Sequence, residues 1–506
     1  MNKISPYKAL AIVLGVGTSI ALYKTLRQYL RLRRYSHIPG AKTKGLFRFF
    51  TGNYNELIEA GENDISFAET TLKWFQELGS IYKIYFFDQI IITVNSPEAI
   101  KKVAIDLDLH KNDITYSLIA FPLNTRALGN GLVTELDKDK WKKSRALFNH
   151  GFQRNVLMKC MKEFDDKNNV LMEKLRTLAD GKTVVTLFTE INKFALDVIA
   201  AIAFGINNDS INDNRNQLNT MIIDLLQGLN DILVDPLAEY KPSKANVIKQ
   251  FKKSLEELRK FSRDHISQRI KDLENKDYVP NDILTIIINN FDGDYFDMEN
   301  LVDQFLTFFI AGQETTANSL AFAILELGRN PDALAKLREE VDRVIGSKTE
   351  ITYEDLGELE YTNCVFKETL RKWPPAPEFS RKTYQEIELE GIKIPENTWI
   401  MLSPYVMGRN PEYFPEPDKF IPERFLKDSE FSKKNTINSY TYFPFSLGPR
   451  NCIGQNFAKI EAKMCLAKFV QNFDFKLDET QSYAGKELLT LRPKDGCRVY
   501  LTQRSN

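Results

Sequence analysis

Cysteine is scarce: five in 506 residues (Cys160, Cys364, Cys452, Cys465, Cys497), an odd number, scattered and without a C-x-x-C pair. That pattern excludes a disulfide framework and a zinc ribbon. Net charge is missing too, because 68 Lys and Arg balance 68 Asp and Glu. Without a global cationic field, nucleic acid is not an expected partner. No G-x-G-x-x-G follows a predicted strand, and Gly15-x-Gly17 lies in an apolar run, so no nicotinamide or flavin site is visible. Internal repeats, low-complexity tracts and a second linker are absent after Pro39, which reads as one domain. What the chain has is apolar bulk: 43% hydrophobic residues and 34 phenylalanines, enough to build a core and line a large apolar pocket.

Long hydrophobic runs are nearly missing as well. The longest uncharged, mostly apolar stretch is 15 residues, ALAIVLGVGTSIALY, between Lys8 and Lys24. As a helix it reaches about 22 Å, against about 30 Å of bilayer hydrocarbon. The lysine stems can snorkel, which makes a span from Pro6 to Leu26 feasible. Lys3 and Lys8 precede the run, whereas Lys24, Arg27, Arg31, Arg33 and Arg34 follow it. This excess predicts that the body stays cytosolic. A cleaved secretory signal is the competing reading, from the small residues Ser19-x-Ala21, but those lie inside the run and a basic stretch follows. The expectation is an anchor over residues 1–35, a helix-breaking linker at His37-Ile38-Pro39-Gly40, and a globular body over 36–506.

Periodicity predicts a mainly α fold with small β-sheets. Helical apolar spacing covers 153–179, 187–204, 217–233 and 245–275. Hairpins are expected at 81–87 with 90–94, and at 386–389 with 392–394 around Glu390-Gly391. The longest predicted helix begins behind an Asp297 cap and ends at Gly328, Asn330 and Pro331. It is apolar on nearly every side except for Gly312-Gln313-Glu314-Thr315-Thr316. Burying such a polar island is costly, so it needs partners or a function.

The most informative stretch is TYFPFSLGPRNCIGQNFA (441–458), in which Phe445, Gly448, Arg450, Cys452 and Gly454 fall at the spacing F-x-x-G-x-R-x-C-x-G. Two glycines allow tight backbone geometry on both sides of the sulfur. An amphipathic helix predicted from Gln455 to about Val470 aims free N–H groups and a positive dipole end towards it. A lone cysteine is usually a small buried hydrophobe; the flanking residues argue for a ligand here.

These residues resemble the haem-binding loop of the cytochrome P-450 family of haem-thiolate monooxygenases. The resemblance covers about residues 39–500 and implies a single large domain with haem b between the long central helix and the cysteine loop and helix. It implies Cys452 as axial iron ligand, its sulfur donating electron density, with Phe445 on the sulfur side and Arg450 on a haem propionate. It also implies propionate contacts from Arg381 and from Trp141-x-x-x-Arg145. In Glu368-Thr369-Leu370-Arg371, which alone reads as a surface ion pair, it implies a buried structural triad with Arg424. Ala311 and Gly312 then keep the helix surface low for dioxygen, and Glu314 with Thr315 form an acid–alcohol pair that relays protons. Back-bonding to the preceding helical turn is expected of Thr316.

Within the family the chain is most similar to the cholesterol 24-hydroxylase branch, over FLTFFIAGQETTANSLAF (305–322), VDRVIGSK (341–348), YVMGR (405–409) and TYFPFSLG (441–448), departing at Gln313, Pro449 and Asn451. A sterol side chain is the first expected substrate, with fatty acids or foreign compounds as the enzymatic alternative. The expected apolar pocket is lined by Asp113 to Asn130 and by Phe305, Phe308 and Phe309. The resemblance further implies electrons from NADPH–cytochrome P-450 reductase, with cytochrome b5 as a second donor, at the endoplasmic-reticulum membrane. Lys142, Lys143, Lys459 and Lys463 could steer such a partner, although a solvated helix face explains each singly. A membrane-anchored haem or lipid carrier is the non-enzymatic alternative; it would need no proton relay at Glu314-Thr315.

Overall fold

Asp297 caps the longest helix as the sequence predicts. Its carboxylate accepts from the Asn300 amide at 2.8 Å, and the helix runs from Met298 to Arg329, stopping ahead of Pro331. The computed structural model describes residues 6–235, 237–290, 297–434 and 437–504, leaving aside the side chains of 6–15, 17 and 434. This central helix is buried almost throughout, from Leu301 to Leu327. The helices Leu187–Phe204, Gln217–Val234 and Ala245–Asn275 occupy their predicted spans. The segment 153–179 divides at Cys160 into Arg154–Lys159 and Met161–Leu178.

Gly312 lets one of these helices come close. A Cβ there would lie 3.0 Å from Ile199 Cγ1 of Leu187–Phe204, so the missing side chain serves helix packing as well as the expected low surface. Phe204 stacks on Phe309 with centroids 4.8 Å apart, and Phe305 lies 4.1 Å from the same ring.

Both predicted hairpins form. Ile81–Phe86 pairs antiparallel with Gln89–Val94, and Ile387–Leu389 with Ile392–Ile394. Glu390 and Gly391 turn the second with φ of 49° and 78°, a pair of positive values that suits a two-residue turn. The first hairpin belongs to a five-stranded sheet completed by Trp399–Leu402, Phe379–Lys382 and His110–Lys111. Trp399–Leu402 runs parallel to Gln89–Val94 from far along the chain, a pairing that local alternation cannot announce.

The N-terminal segment is helical from Pro6 to Arg34. Among the described residues no helix is long and apolar enough to cross a membrane, and the expected span begins on side chains outside the description. The expected linker is not free. Tyr35 and Ile38 are buried, the Tyr35 hydroxyl lies 2.7 Å from Thr398 Oγ1, and His37 Nε2 is 2.7 Å from the Lys393 carbonyl. Aromatic and aliphatic bulk on both sides of the helix break ties it to the sheet.

Candidate active site

The cysteine loop is shaped by its own backbone. The Cys452 amide donates to the Phe445 carbonyl at 2.9 Å, and the Asn451 amide to that of Gly448 at 3.1 Å. Gly448 has φ +70°, and a Cβ would sit 2.4 Å from the Ala104 carbonyl oxygen, so only glycine fits. Behind the loop, Gln455–Asn472 is helical. It is buried on nearly all sides, not amphipathic, because the central helix and its neighbours surround it. Burial pushes the Cys452 thiol up, opposed by the Gly454 N–H and by the cations Arg145 and Lys459. Yet Cys452 is exposed. A sulfur facing an enclosed space satisfies both observations. Phe445 is half-buried beside it, its ring centroid 5.6 Å from the Lys459 ammonium.

The central helix opens where the polar island falls. Ala311 is exposed and Gly312 and Thr315 are partly so, between long buried stretches. Thr315 Oγ1 donates to the Ala311 carbonyl at 2.7 Å. The back-bonding expected of Thr316 is seen at Thr315, and Thr316 is buried. Glu314 is buried, one carboxylate oxygen without a partner, and burial raises it above the usual carboxylate range against a hydrogen bond from Thr490 and the charge of Arg492.

On one side of the sulfur loop lie three buried or partly buried cations. Lys111, Arg381 and Arg450 donate to the carbonyls of Val133, Ser380 and Glu135, not to carboxylates. Arg450 Nη2 is sealed from water with no partner. Burial lowers all three; each of Lys111 and Arg450 is lowered further by Arg381, and Arg450 falls to about 10. The Arg450 guanidinium lies 4.0 Å from the centroid of the buried Trp141 ring. Asp108 and Glu135 offset part of the charge on Arg381 and Arg450, but neither carboxylate bonds to them, so the cluster suits an anion.

Arg145 donates to Asn149 Oδ1 at 3.0 Å, to the Asn451 carbonyl at 2.6 Å and to Asn451 Oδ1 at 2.9 Å, and so braces the cysteine loop. Phe305, Phe308 and Phe309 depart from the expected pocket lining. All three are buried, and Phe308 stacks between Phe148 and Phe152 at 5.0 and 5.2 Å, so they hold helices together instead of lining a pocket. Lys463 is turned inward onto the Leu356 carbonyl, away from any partner surface.

Glu368, Arg371 and Arg424 form the buried triad. Arg371 Nε and Nη2 donate to the two Glu368 oxygens, each at 2.8 Å, and Arg424 Nε reaches Oε1 at 3.3 Å. The remaining guanidinium groups bind the carbonyls of Gly408, Lys419 and Glu416 and pin the 408–424 meander. A surface ion pair is excluded by this burial.

Sequence reasoning missed Lys111, Tyr116 and Glu461. Lys111, whose ammonium sits 4.2 Å from the Tyr116 ring centroid, is a single lysine in an unpatterned stretch and carried no signal. Glu461 is fully buried, nine residues beyond Cys452; a carboxylate among the apolar residues of that helix was the available cue.

The cysteine loop and the nearby cations, bonded to carbonyls and not to carboxylates, fit a metalloporphyrin held through sulfur and its propionates, the arrangement of a haem-thiolate protein. The cytochrome P450 family profile matches residues 50–496. Cytochrome P450 3A29 of Sus scrofa is 30% identical over 428 residues, 81% of this chain and 82% of that protein. Cytochrome P450 3A12 of Canis lupus familiaris is 30% identical over 474 residues (88% and 90%), and cytochrome P450 4d2 of Drosophila melanogaster 29% over 425 (79% and 82%). The chain belongs to the cytochrome P450 family and is a monooxygenase of that class.

Proposed function

We propose that this enzyme inserts one oxygen atom of O2 into an unactivated C–H bond of a lipophilic substrate, in the first instance a sterol side chain, as a cholesterol 24-hydroxylase-like enzyme. The carrying observation is the opening at Ala311, Gly312 and Thr315 in an otherwise buried helix, which packs against the helix Gln455–Asn472 that follows the exposed Cys452. When bound, haem supplies the iron that activates dioxygen, with the Cys452 sulfur as its ligand. Lys111, Arg381 and Arg450 hold its carboxylates, and Trp141 supports Arg450 from below. Ala311 leaves room, Thr315 holds a proton on Oγ1, and the buried Glu314 carboxyl, raised above the usual carboxylate range, stands next to it in the chain as the acid of the pair.

A sterol reading is supported by the similar stretches named above and by a substrate loop rich in Ile114, Ile119, Phe121 and Leu123. Its one acidic residue near the start, Asp113, is tied to Lys382 through both oxygens at 2.8 Å. Electrons come from NADPH–cytochrome P450 reductase, with cytochrome b5 as a second donor; exposed Lys142 and Lys143, on the helix that carries Trp141, offer the acidic partner a face. The enzyme sits at the endoplasmic-reticulum membrane, held by the apolar part of Pro6–Arg34. Spectral titration of the purified holoenzyme tests the substrate class. Cholesterol is expected to drive a saturable low-to-high-spin change; saturation by long-chain fatty acids alone would reject the sterol assignment.

A further inference from the structure

A cavity of about 420 Å³ lies under the C-terminal end of the N-terminal helix, apart from the haem site. Arg27, Arg31 and Arg34 line it; at i, i+4 and i+7 they share one helix face. Lys382 forms part of the opposite wall, fixed by its bidentate pairing with Asp113. Two carboxylates also line the cavity, but Asp88 stands 4.0 Å from Arg31 and Glu396 3.8 Å from Arg34. Both are ion pairs beyond hydrogen-bond length, and of the three arginines Arg31 gives Nη1 to Gln28 Oε1 at 3.1 Å. Among the described residues Arg27 has no carboxylate partner. Trp399, partly buried, also lines the cavity.

The position narrows the ligand. The apolar run ends at Tyr23, so Arg27 stands about one helical turn beyond it, the level of lipid headgroups for an inserted segment. Leu30 and Ile114, both exposed, form an apolar edge suited to glycerol and the first acyl carbons. We propose that this cavity binds the phosphate headgroup of an anionic glycerophospholipid. The claim rests on the membrane-anchor reading for the source of the lipid, not for the site. Free phosphate shares the recognition chemistry but leaves the apolar edge unused.

The test uses the full-length holoenzyme and soluble dihexanoyl phosphatidic acid, followed by calorimetry and tryptophan fluorescence, with inorganic phosphate and dihexanoyl phosphatidylcholine in parallel. The phosphatidic acid is expected to saturate at least tenfold more tightly than either. Arg27→Gln and Arg34→Gln should each weaken it several-fold and together at least tenfold, whereas Arg33→Gln, on another face of the helix, should leave it unchanged. The fluorescence response should vanish in Trp399→Phe. Equal affinity for inorganic phosphate would reassign the site to the free ion and overturn the lipid proposal. Equal weakening by Arg33→Gln would reduce it to diffuse surface attraction, and absence of saturable binding would end it. The reduced carbon monoxide spectrum checks that each variant is folded and loaded; should the double variant fail there, Arg27→Gln alone decides, because Arg27 is exposed and has no carboxylate partner. Flotation of the wild type with phosphatidylcholine vesicles reads the anchor separately, so one reading can fail without the other.

Discussion

At the scale of single residues, Thr315 carries the clearest chemical demand. Its hydroxyl proton is engaged by the Ala311 carbonyl at 2.7 Å, so the group must rotate away from its own helix before it can donate elsewhere. Thr315→Ala removes that proton while the fold is kept. NADPH oxidation is expected to continue while product per NADPH falls at least several-fold, measured as coupling ratio; an unchanged ratio would remove Thr315 from the relay. The turn ahead of Cys452 was legible because its geometry is local: Gly448 stands where the backbone takes φ +70° and no Cβ fits. Lys111 was not, since its meaning depends on Arg381 and Arg450 arriving beside it from distant segments.

Among elements, the segment 120–134 matters most, because it joins the helix Asp113–Ala120 to the helix that carries Trp141 and is latched by the central helix. Asp303 of the central helix is fully buried and accepts from Arg126 Nη2 at 2.7 Å, Arg259 Nη1 at 2.8 Å and the Asn130 amide at 2.8 Å. Gly129 permits this approach, since a Cβ there would fall 2.1 Å from Asp303 Oδ2. Arg259 continues to Glu299 at 2.5 Å, so one ion network links the loop, the central helix and Ala245–Asn275. Removing one charge from such a buried network costs roughly 3 kcal/mol. Asp303→Asn is expected to lower the thermal midpoint, hasten proteolysis within 120–134 and weaken substrate-induced spin change more than it alters the carbon monoxide spectrum. Protection of that segment equal to wild type would show that the latch is dispensable.

Across the whole molecule, a carboxylate pair joins three distant parts of the chain. Glu487 accepts the Ala68 amide at 2.9 Å at the start of Phe67–Leu78, and it shares a hydrogen bond with Glu378, which also meets Thr71 Oγ1 at 3.5 Å. Burial raises both carboxyls, Glu487 to about 7. The folded state therefore keeps a proton that the unfolded chain, with a carboxyl near 4.3, releases. Its contribution to stability is full below about pH 4.5 and is lost as pH rises through about 7, by roughly 3 kcal/mol. Glu487→Gln keeps an amide-accepting oxygen without titrating. The fall in thermal midpoint between pH 5 and 8 should be smaller in this variant, and an identical fall would place the pH dependence elsewhere.

What the sequence determined by itself was whatever follows from neighbours along the chain: helix spans set by apolar period, the Asp297 cap, both hairpin turns and the cysteine loop. The helices Leu187–Phe204 and Ala245–Asn275 match their predicted ends because period and capping act within a few residues. Only the tertiary structure decided which side chains turn inward together. It placed Phe305, Phe308 and Phe309 in helix contacts, turned Arg145 onto Asn451, and left Lys111, Arg381 and Arg450 bonded to backbone carbonyls and not to carboxylates. The physical reason is range: propensity and periodicity act over a few residues, whereas burial and charge balance depend on segments hundreds of residues apart that meet only after folding.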